Sequence, residues 1–255
     1  MIKTTEKIIY PKYTYTYNMG IHPDRVLLSE SIRTSTYNPV IAEIKVRSPS
    51  KGDLLRNRDP LDILRAYERA GAVGISYITE KDRFGGDIRV FKEICDESSL
   101  PVLRKDFITD KREIEETAEL GASAILLIAR MLGERTTEFV DTALEEGLDT
   151  LVEIHNPEDL TFLEDARTTL LGINNRDIEK LEMDNGDVSV TERMVSKIKR
   201  RDIQIVSESG IKNLEDVERA LKVSDAILVG TAFMEEKDPE EITRSFVMGR
   251  RKNNA

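Results

Sequence analysis

Glu43, Lys45, Lys105, Glu153, Asn174, Arg176 and Glu208 each stand at, or just past, the end of a short apolar run. An ammonium group protonated at neutral pH donates to a carbonyl oxygen, and a carboxylate accepts a proton or stabilises positive charge developing nearby. Acids, bases and an amide recurring at the ends of separate runs describe one polar pocket assembled from many strands. Glu43 and Lys45 have the same strand parity and so point to one side, where opposite charges support one another's ionised state. The same pair would serve equally well as a structural ion pair. Arg104 and Asp106, which flank Lys105, are expected to face a helix layer or form peripheral pairs.

Two glycine motifs follow the last two apolar runs, Glu208-Ser209-Gly210-Ile211 and Leu228-Val229-Gly230-Thr231-Ala232. Glycine lets a backbone approach an anion closely, and N–H groups at short helix starts point toward it, so the two motifs in succession predict a phosphate cradle. Other residues carry less. His155 follows Glu153, but the chain has only two histidines, the other being His22, and no metal-ligand spacing, so no metal is expected. Cys95 reads as a structural thiol in a helix over 88–97. The run Glu113, Glu115, Glu116 and Glu119 reads as a solvated helix face.

The elements that must position these groups are eight strands at 40–45, 74–79, 102–105, 124–128, 150–154, 170–174, 204–207 and 226–229, alternating with eight amphipathic helical segments. Asp59-Pro60 opens the first helix after a strand and Gly71 closes it; Asp110, Gly121, Gly133, Gly147 and Asn156-Pro157 punctuate later ones. A doubly wound open sheet shares this alternation, but polar groups on at least six strand ends favour closure into an eightfold parallel barrel. One domain is expected, with an N-terminal extension over 1–39, the barrel over 40–249 and a solvated tail over 250–255. Tyr10 to Tyr17 alternates tyrosine with polar residues as an extended segment does, either capping one barrel end or lying on the surface.

A formal net charge of -10 argues against a nucleic-acid partner or an anionic membrane, because the field of the whole molecule repels both. An anionic small molecule must then be captured by cations placed locally. A single cysteine excludes an intrachain disulfide, and no apolar run reaches the roughly 20 residues that span a bilayer. The first residues lack a signal-peptide pattern, so the expected location is cytoplasmic. The oligomeric state is left open, a monomer being compatible with all of this.

Taken in order, Ile41-Ala42-Glu43-Ile44-Lys45 with Ser48-Pro49-Ser50, Leu103-Arg104-Lys105-Asp106-Phe107, Leu151-Val152-Glu153-Ile154-His155-Asn156, Gly172-Ile173-Asn174-Asn175-Arg176-Asp177 and Glu208-Ser209-Gly210-Ile211 are specific as a set. Over about residues 40–234 the chain resembles the indole-3-glycerol phosphate synthases, barrel enzymes that form the indole ring in tryptophan biosynthesis. The resemblance implies a (β/α)8 TIM barrel, a carboxy-lyase, and no organic cofactor or metal. Its substrate would be 1-(2-carboxyphenylamino)-1-deoxyribulose 5-phosphate, closed to indole-3-glycerol phosphate with loss of carbon dioxide and water.

By the same resemblance Lys105 is the general acid that protonates the ribulose carbonyl as the aromatic carbon attacks it. Glu153 stabilises the charged intermediate or takes part in proton transfer, and Glu43 and Lys45 assist the later dehydration. Asn174, Arg176 and Glu208 position the substrate and tune its proton-transfer partners. Ser48, Ser209, Gly210, Gly230 and Thr231 match phosphate-binding positions, and Phe84 and Phe107 match hydrophobic positions against the anthranilate ring. The family usually carries an N-terminal helical extension, whereas the short segment before Val40 reads largely as extended. It often carries a second basic residue directly after the position of Lys45; here that residue is Val46, and Arg47 is expected to cover part of the role.

Two other readings share some of these features. Another phosphate-binding barrel, such as a sugar-phosphate isomerase of the same pathway, would need the cradle but not Glu43, Lys45, Lys105 and Glu153 together. A barrel that binds a phosphorylated ligand without turnover would leave the substrate unchanged.

Overall fold

Eight short runs rich in Val, Ile and Leu form the strands of one closed parallel barrel in the computed structural model, which describes residues 7–10, 13–16, 26–176, 186–200 and 202–249. The strands are β1 (Val40–Ile44), β2 (Gly74–Ile78), β3 (Val102–Lys105), β4 (Ala124–Ile128), β5 (Asp149–Ile154), β6 (Leu170–Asn174), β7 (Gln204–Glu208) and β8 (Ala226–Val229). Each pairs with its neighbours in sequence, and β8 pairs with β1 through Ile227↔Val40, Leu228↔Ile41 and Val229↔Ala42. The expected fold is therefore the observed one, with strand ends displaced by at most one residue.

Strand parity divides the apolar residues into two clusters. Ile41, Leu103, Ala124, Leu126, Ile128, Leu151, Leu170, Val206, Ala226 and Leu228 fill the barrel interior. Val40, Ala42, Ile44, Ile75, Tyr77, Ile125, Leu127, Val152, Ile154, Leu171, Ile173, Ile227 and Val229 face outward into the layer shared with the helices.

That layer is made by α2 (Pro60–Ala70), α3 (Ile88–Glu97), α4 (Lys111–Glu119), α5 (Ala129–Leu132), α6 (Thr136–Glu145), α7 (Ser189–Val195), α8 (Leu214–Leu221), α9 (Thr231–Glu235) and α10 (Pro239–Met248), with α1 (Leu28–Thr34) ahead of the barrel. Local chemistry sets their ends. Asp59 accepts the Leu61 N–H ahead of Pro60, and Gly71 closes α2 in the left-handed region at φ 87°. Asp110 and Glu113 form a reciprocal capping box on α4.

Three expectations need correction. The crossover between β5 and β6 holds no α-helix but a 3₁₀ segment, Pro157–Leu163, capped reciprocally by Asn156 and Asp159. Its inward residues Leu160 and Leu163 stand three positions apart, the 3₁₀ period. The acidic run is not all solvated face: Glu113 caps α4 and Glu116 accepts a hydrogen bond from Arg104 at 2.8 Å. The segment before Val40 is not wholly extended. Its backbone pairs Lys7–Tyr10 with Tyr13–Thr16 as an antiparallel hairpin, but α1 then seats Leu28 and Ile32 in the interior cluster with Ile41, Val73 and Leu103. The Ser29 N–H donates to Asp149 Oδ2 at 2.8 Å, tying α1 to the start of β5.

The two ends of the barrel meet. Asn38 N–H donates to Val247 O at 3.1 Å, its Nδ2 donates to Phe246 O and Gly249 O at 2.8 and 3.0 Å, and α2 packs on α10. Among the described residues no helix is long and apolar enough to cross a membrane.

Candidate active site

On each odd-numbered strand one interior apolar residue is followed two positions later by a charge: Ile41 by Glu43, Leu103 by Lys105, Leu151 by Glu153, Val206 by Glu208. A barrel interior is built in layers of four side chains taken from alternate strands. Glu43, Lys105, Glu153 and Glu208 thus form a polar layer toward the C-terminal mouth, resting on an apolar one. Lys105 Nζ holds the layer together, lying 3.0 Å from Glu208 Oε2, 3.6 Å from Glu43 Oε2 and 3.9 Å from Glu153 Oε2. Lys45 Nζ pairs with Glu43 Oε1 at 3.1 Å, so the pair read from parity does form inside the barrel. All three carboxylate side chains are at most 2 % exposed.

The even-numbered strands make room for this layer. A Cβ on Gly172 in β6 would overlap Glu208 Oε1, and a Cβ on Gly230 after β8 would overlap Glu43 Oε1. Gly230, read from sequence as a phosphate position, also leaves room with its missing side chain for the Glu43 carboxylate. Thr231, the first residue of α9, accepts from Lys45 Nζ at 3.5 Å.

Packing charges this closely sets their protonation. Burial would lower the Lys105 pKa, yet Glu208, Glu43 and Glu153 together raise it, so the ammonium form is fixed. Burial, reinforced by Glu153 and Glu43, pushes the Glu208 carboxyl up to about 7 against the pull of Lys105. Burial also works against ionised Glu153, but His155, Lys105 and the Asn174 amide hold it down to about 2. The site therefore keeps a fixed cation, a fixed anion and a carboxyl poised near neutrality, the spread of values that separates acid from base.

Above the layer opens a cleft lined by Lys45, Ile78, Glu80, Phe84, Lys105, Asp106, Phe107, Leu126, Ile128, Glu153, Asn174, Arg176 and Ser209. Phe84 and Phe107 form one wall, their ring centroids 6.5 Å apart, and Lys45 Nζ lies 5.8 Å above the Phe84 ring. Arg83 stacks on Phe107 from outside, its Cζ 5.5 Å from the ring centroid. The cleft thus joins an aromatic slot to a charged floor.

Of the residues singled out from sequence, Lys45, Lys105, Glu153, Asn174, Arg176, Ser209, Phe84 and Phe107 line the cleft. Glu43 and Glu208 lie beneath it. Ser48, 1 % exposed, shares a hydrogen bond of 3.1 Å with Ser50 in the β1–α2 loop and is outside the cleft lining. Ser209 and Gly210 turn the chain out of β7 with φ of 65° and 73°, and Gly210 packs against Gly186. Holding Ser209 left-handed costs roughly 1 kcal/mol. Arg104 faces the helix layer, bonded to Thr79, Glu113 O, Glu116 and Thr117, and pairs with Asp106 at 3.8 Å as expected, while Asp106 also lines the cleft. Arg47 does not take up the role expected of it. Its guanidinium donates to Lys81 O, Asp82 O and Arg83 O at 3.5, 2.6 and 3.1 Å and is absent from the lining.

Several residues escaped the sequence reading. Ile78 and Ile128 sit at the last interior positions of β2 and β4, a placement that parity alone could have given. Glu80 accepts the N–H groups of Arg83 and Phe84 at 2.8 and 3.0 Å and so folds the loop that carries Phe84. Asn175 brackets the ends of β6 and β7: its Nδ2 donates to Ser207 Oγ, Glu208 O and Ser209 O, and its Oδ1 accepts from the Thr191 N–H and hydroxyl. Nothing in the sequence marks that role. Among the described residues no three His, Cys, Asp or Glu side chains are grouped so as to hold a metal ion.

The family model for indole-3-glycerol phosphate synthase matches residues 5–246. The chain belongs to that family. It is 59 % identical over 220 residues to the indole-3-glycerol phosphate synthase of Pyrococcus furiosus, covering 86 % of this chain and 96 % of that one. It is 41 % identical over 207 residues to the family member of Petrotoga mobilis, covering 78 % and 80 %. Solved structures with the same fold include a tryptophan synthase from M. tuberculosis (TM-score 0.64, 13 % identity, 87 % of this chain and 96 % of that one). Another is the N-acetylmannosamine-6-phosphate 2-epimerase of Clostridium perfringens (TM-score 0.62, 18 % identity, 89 % and 97 %). At those identities the likeness is one of fold alone.

Proposed function

We propose that the chain closes 1-(2-carboxyphenylamino)-1-deoxyribulose 5-phosphate to indole-3-glycerol phosphate in the cytoplasm, releasing carbon dioxide and water. The observation that carries this reading is the Lys105 ammonium set among Glu43, Glu153 and Glu208 beneath an aromatic-walled cleft. Ring closure needs a proton donor at the ketose carbonyl, a flat apolar slot for the anthranilate ring and cations for two anionic groups.

In this assignment Phe84 and Phe107 hold the ring, and Lys105 donates its proton to the carbonyl oxygen as the aromatic carbon attacks. Glu153, ionised, faces the cationic intermediate and stabilises it until carbon dioxide leaves. Lys45 and Glu43, already joined at 3.1 Å, act as acid and base in the dehydration. Glu208 returns the proton that Lys105 gave up, its contact of 3.0 Å being the shortest Lys105 makes to a carboxylate. Asn174 orients Glu153, and Arg176 draws the substrate anions toward the cleft. Ser209 and Gly210, with Gly230, Thr231 and Ser48, hold the phosphate.

Mixing purified protein with the substrate and following indole fluorescence tests the reading. The chain contains no tryptophan, so the indole emission of the product is not masked by indole emission from the protein. Phosphate-ester binding without product would instead make it a binding barrel.

A further inference from the structure

Of the three buried carboxylates, Glu43 has Lys45 at 3.1 Å and Glu208 has Lys105 at 3.0 Å, whereas Glu153 lies 3.9 Å from Lys105. A buried carboxylate without a close partner is costly, so a further cation beside Glu153 is favoured. His155, one residue beyond β5, has its side chain 5 % exposed with Nε2 3.2 Å from Glu153 Oε1. Neither ring nitrogen has a hydrogen-bond partner among the described residues, which leaves this ion-pair contact as the imidazole's principal polar interaction. The Asp159 carboxylate accepts the backbone N–H groups of His155 and Asn156 and fixes the turn that aims the ring back at Glu153.

We propose that His155 is an imidazolium and the positioning residue of Glu153, holding Oε1 so that Oε2 is presented to Lys105 and the cleft. This rests on the reaction assigned above. Glu153 is then clamped from both sides, by His155 on one oxygen and by Lys105 at 3.9 Å on the other. The charges bearing on His155 all favour its proton: Glu153 beside it, Asp159 below and Glu208 across the barrel, which together overcome the cost of burial. Loss of that proton at alkaline pH frees the carboxylate to swing toward Lys105 and withdraws the charge that faces it.

With only two histidines in the chain, the imidazole signals in NMR can be assigned by His22→Gln and followed through a pH titration. His155 is expected to titrate above the ordinary histidine value in the wild-type chain, and to titrate lower in Glu153→Gln. In the fluorescence assay His155→Gln, which keeps a donor but not the charge, is expected to lower kcat by roughly ten- to a hundredfold with little change in KM and to abolish the alkaline limb of the kcat profile. An imidazole that titrates at or below its ordinary value, or a His155→Gln profile identical to wild type, overturns the proposal. Absence of turnover in the wild-type chain would remove the assigned reaction while the titration still decides the His155–Glu153 pairing.

Discussion

Gly172 and Glu208 occupy the same space from two adjacent strands: the side-chain position that glycine leaves empty on β6 is filled by the Glu208 carboxylate from β7. Gly172→Ala is therefore expected to displace Glu208 from Lys105 and to lower kcat by about a hundredfold, the usual effect of moving a catalytic group by an ångström. Parallel melting curves separate this from unfolding. Wild-type kcat in the alanine variant would show that the position of Glu208 is unimportant.

Lys105→Met replaces the ammonium with an apolar chain of similar length. Three carboxylates then lose their common partner, though Glu43 keeps Lys45 and Glu153 keeps His155. The folded barrel is expected to persist, while kcat falls by roughly a thousandfold, the contribution typical of a placed proton donor. Activity near wild type would remove Lys105 from the general-acid role.

Glu208 and Glu153 pull stability in opposite directions with pH. The folded Glu208 carboxyl keeps its proton up to about 7, whereas the unfolded chain releases it near the ordinary value, so its contribution to stability declines as pH rises through that interval. Glu153, held down to about 2, contributes stability above the ordinary value and loses it as pH falls toward 2. Glu208→Gln cannot ionise. Its melting temperature is expected to be flatter than that of wild type between about pH 5 and 7, and higher at pH 7, with turnover lost. An unchanged pH dependence of melting would place the Glu208 titration elsewhere.

Arg104 stands next to Lys105 in sequence but serves the opposite face of β3. Its bonds to Thr117 and Glu116 join the strand to α4, and its bond to Thr79 reaches the end of β2. Arg104→Met is expected to cost about 2 kcal/mol of stability, the scale of buried hydrogen bonds to a charged group. The fluorescence assay, run well below the melting point, should find kcat within a few-fold of wild type, and a loss comparable to that of Lys105→Met would contradict this division of β3 into two faces.

Strand positions were legible because eight apolar runs of four to six residues leave little choice, and parity alone put Glu43 and Lys45 on one side. The layer of four could be read in retrospect from Ile41, Leu103, Leu151 and Val206, each two residues before a charge. What spacing cannot convey is where a long side chain leans. Glu43 reaches across to Gly230 just past β8 and Glu208 to Gly172 on β6, so a glycine that reads as an anion site in sequence also makes room for a carboxylate. His155 and Asn175 were passed over for the same reason, since their roles depend on contacts to Glu153 within the same turn and to β7 across a strand boundary. Arg47 misled because its charge was counted without its hydrogen bonds.

Asn38 fastens the start of the barrel to its end, with three hydrogen bonds to the last turn of α10 and the residue after it. The chain therefore enters and leaves the ring at one place, and the ring itself has no seam. Four charged side chains, donated by every second strand, keep the same neighbours wherever the polypeptide happens to be cut. A circularly permuted chain, with new termini opened in any exposed loop remote from the mouth, would inherit the whole constellation, which makes strand order in this protein a matter of ancestry and strand adjacency a matter of chemistry.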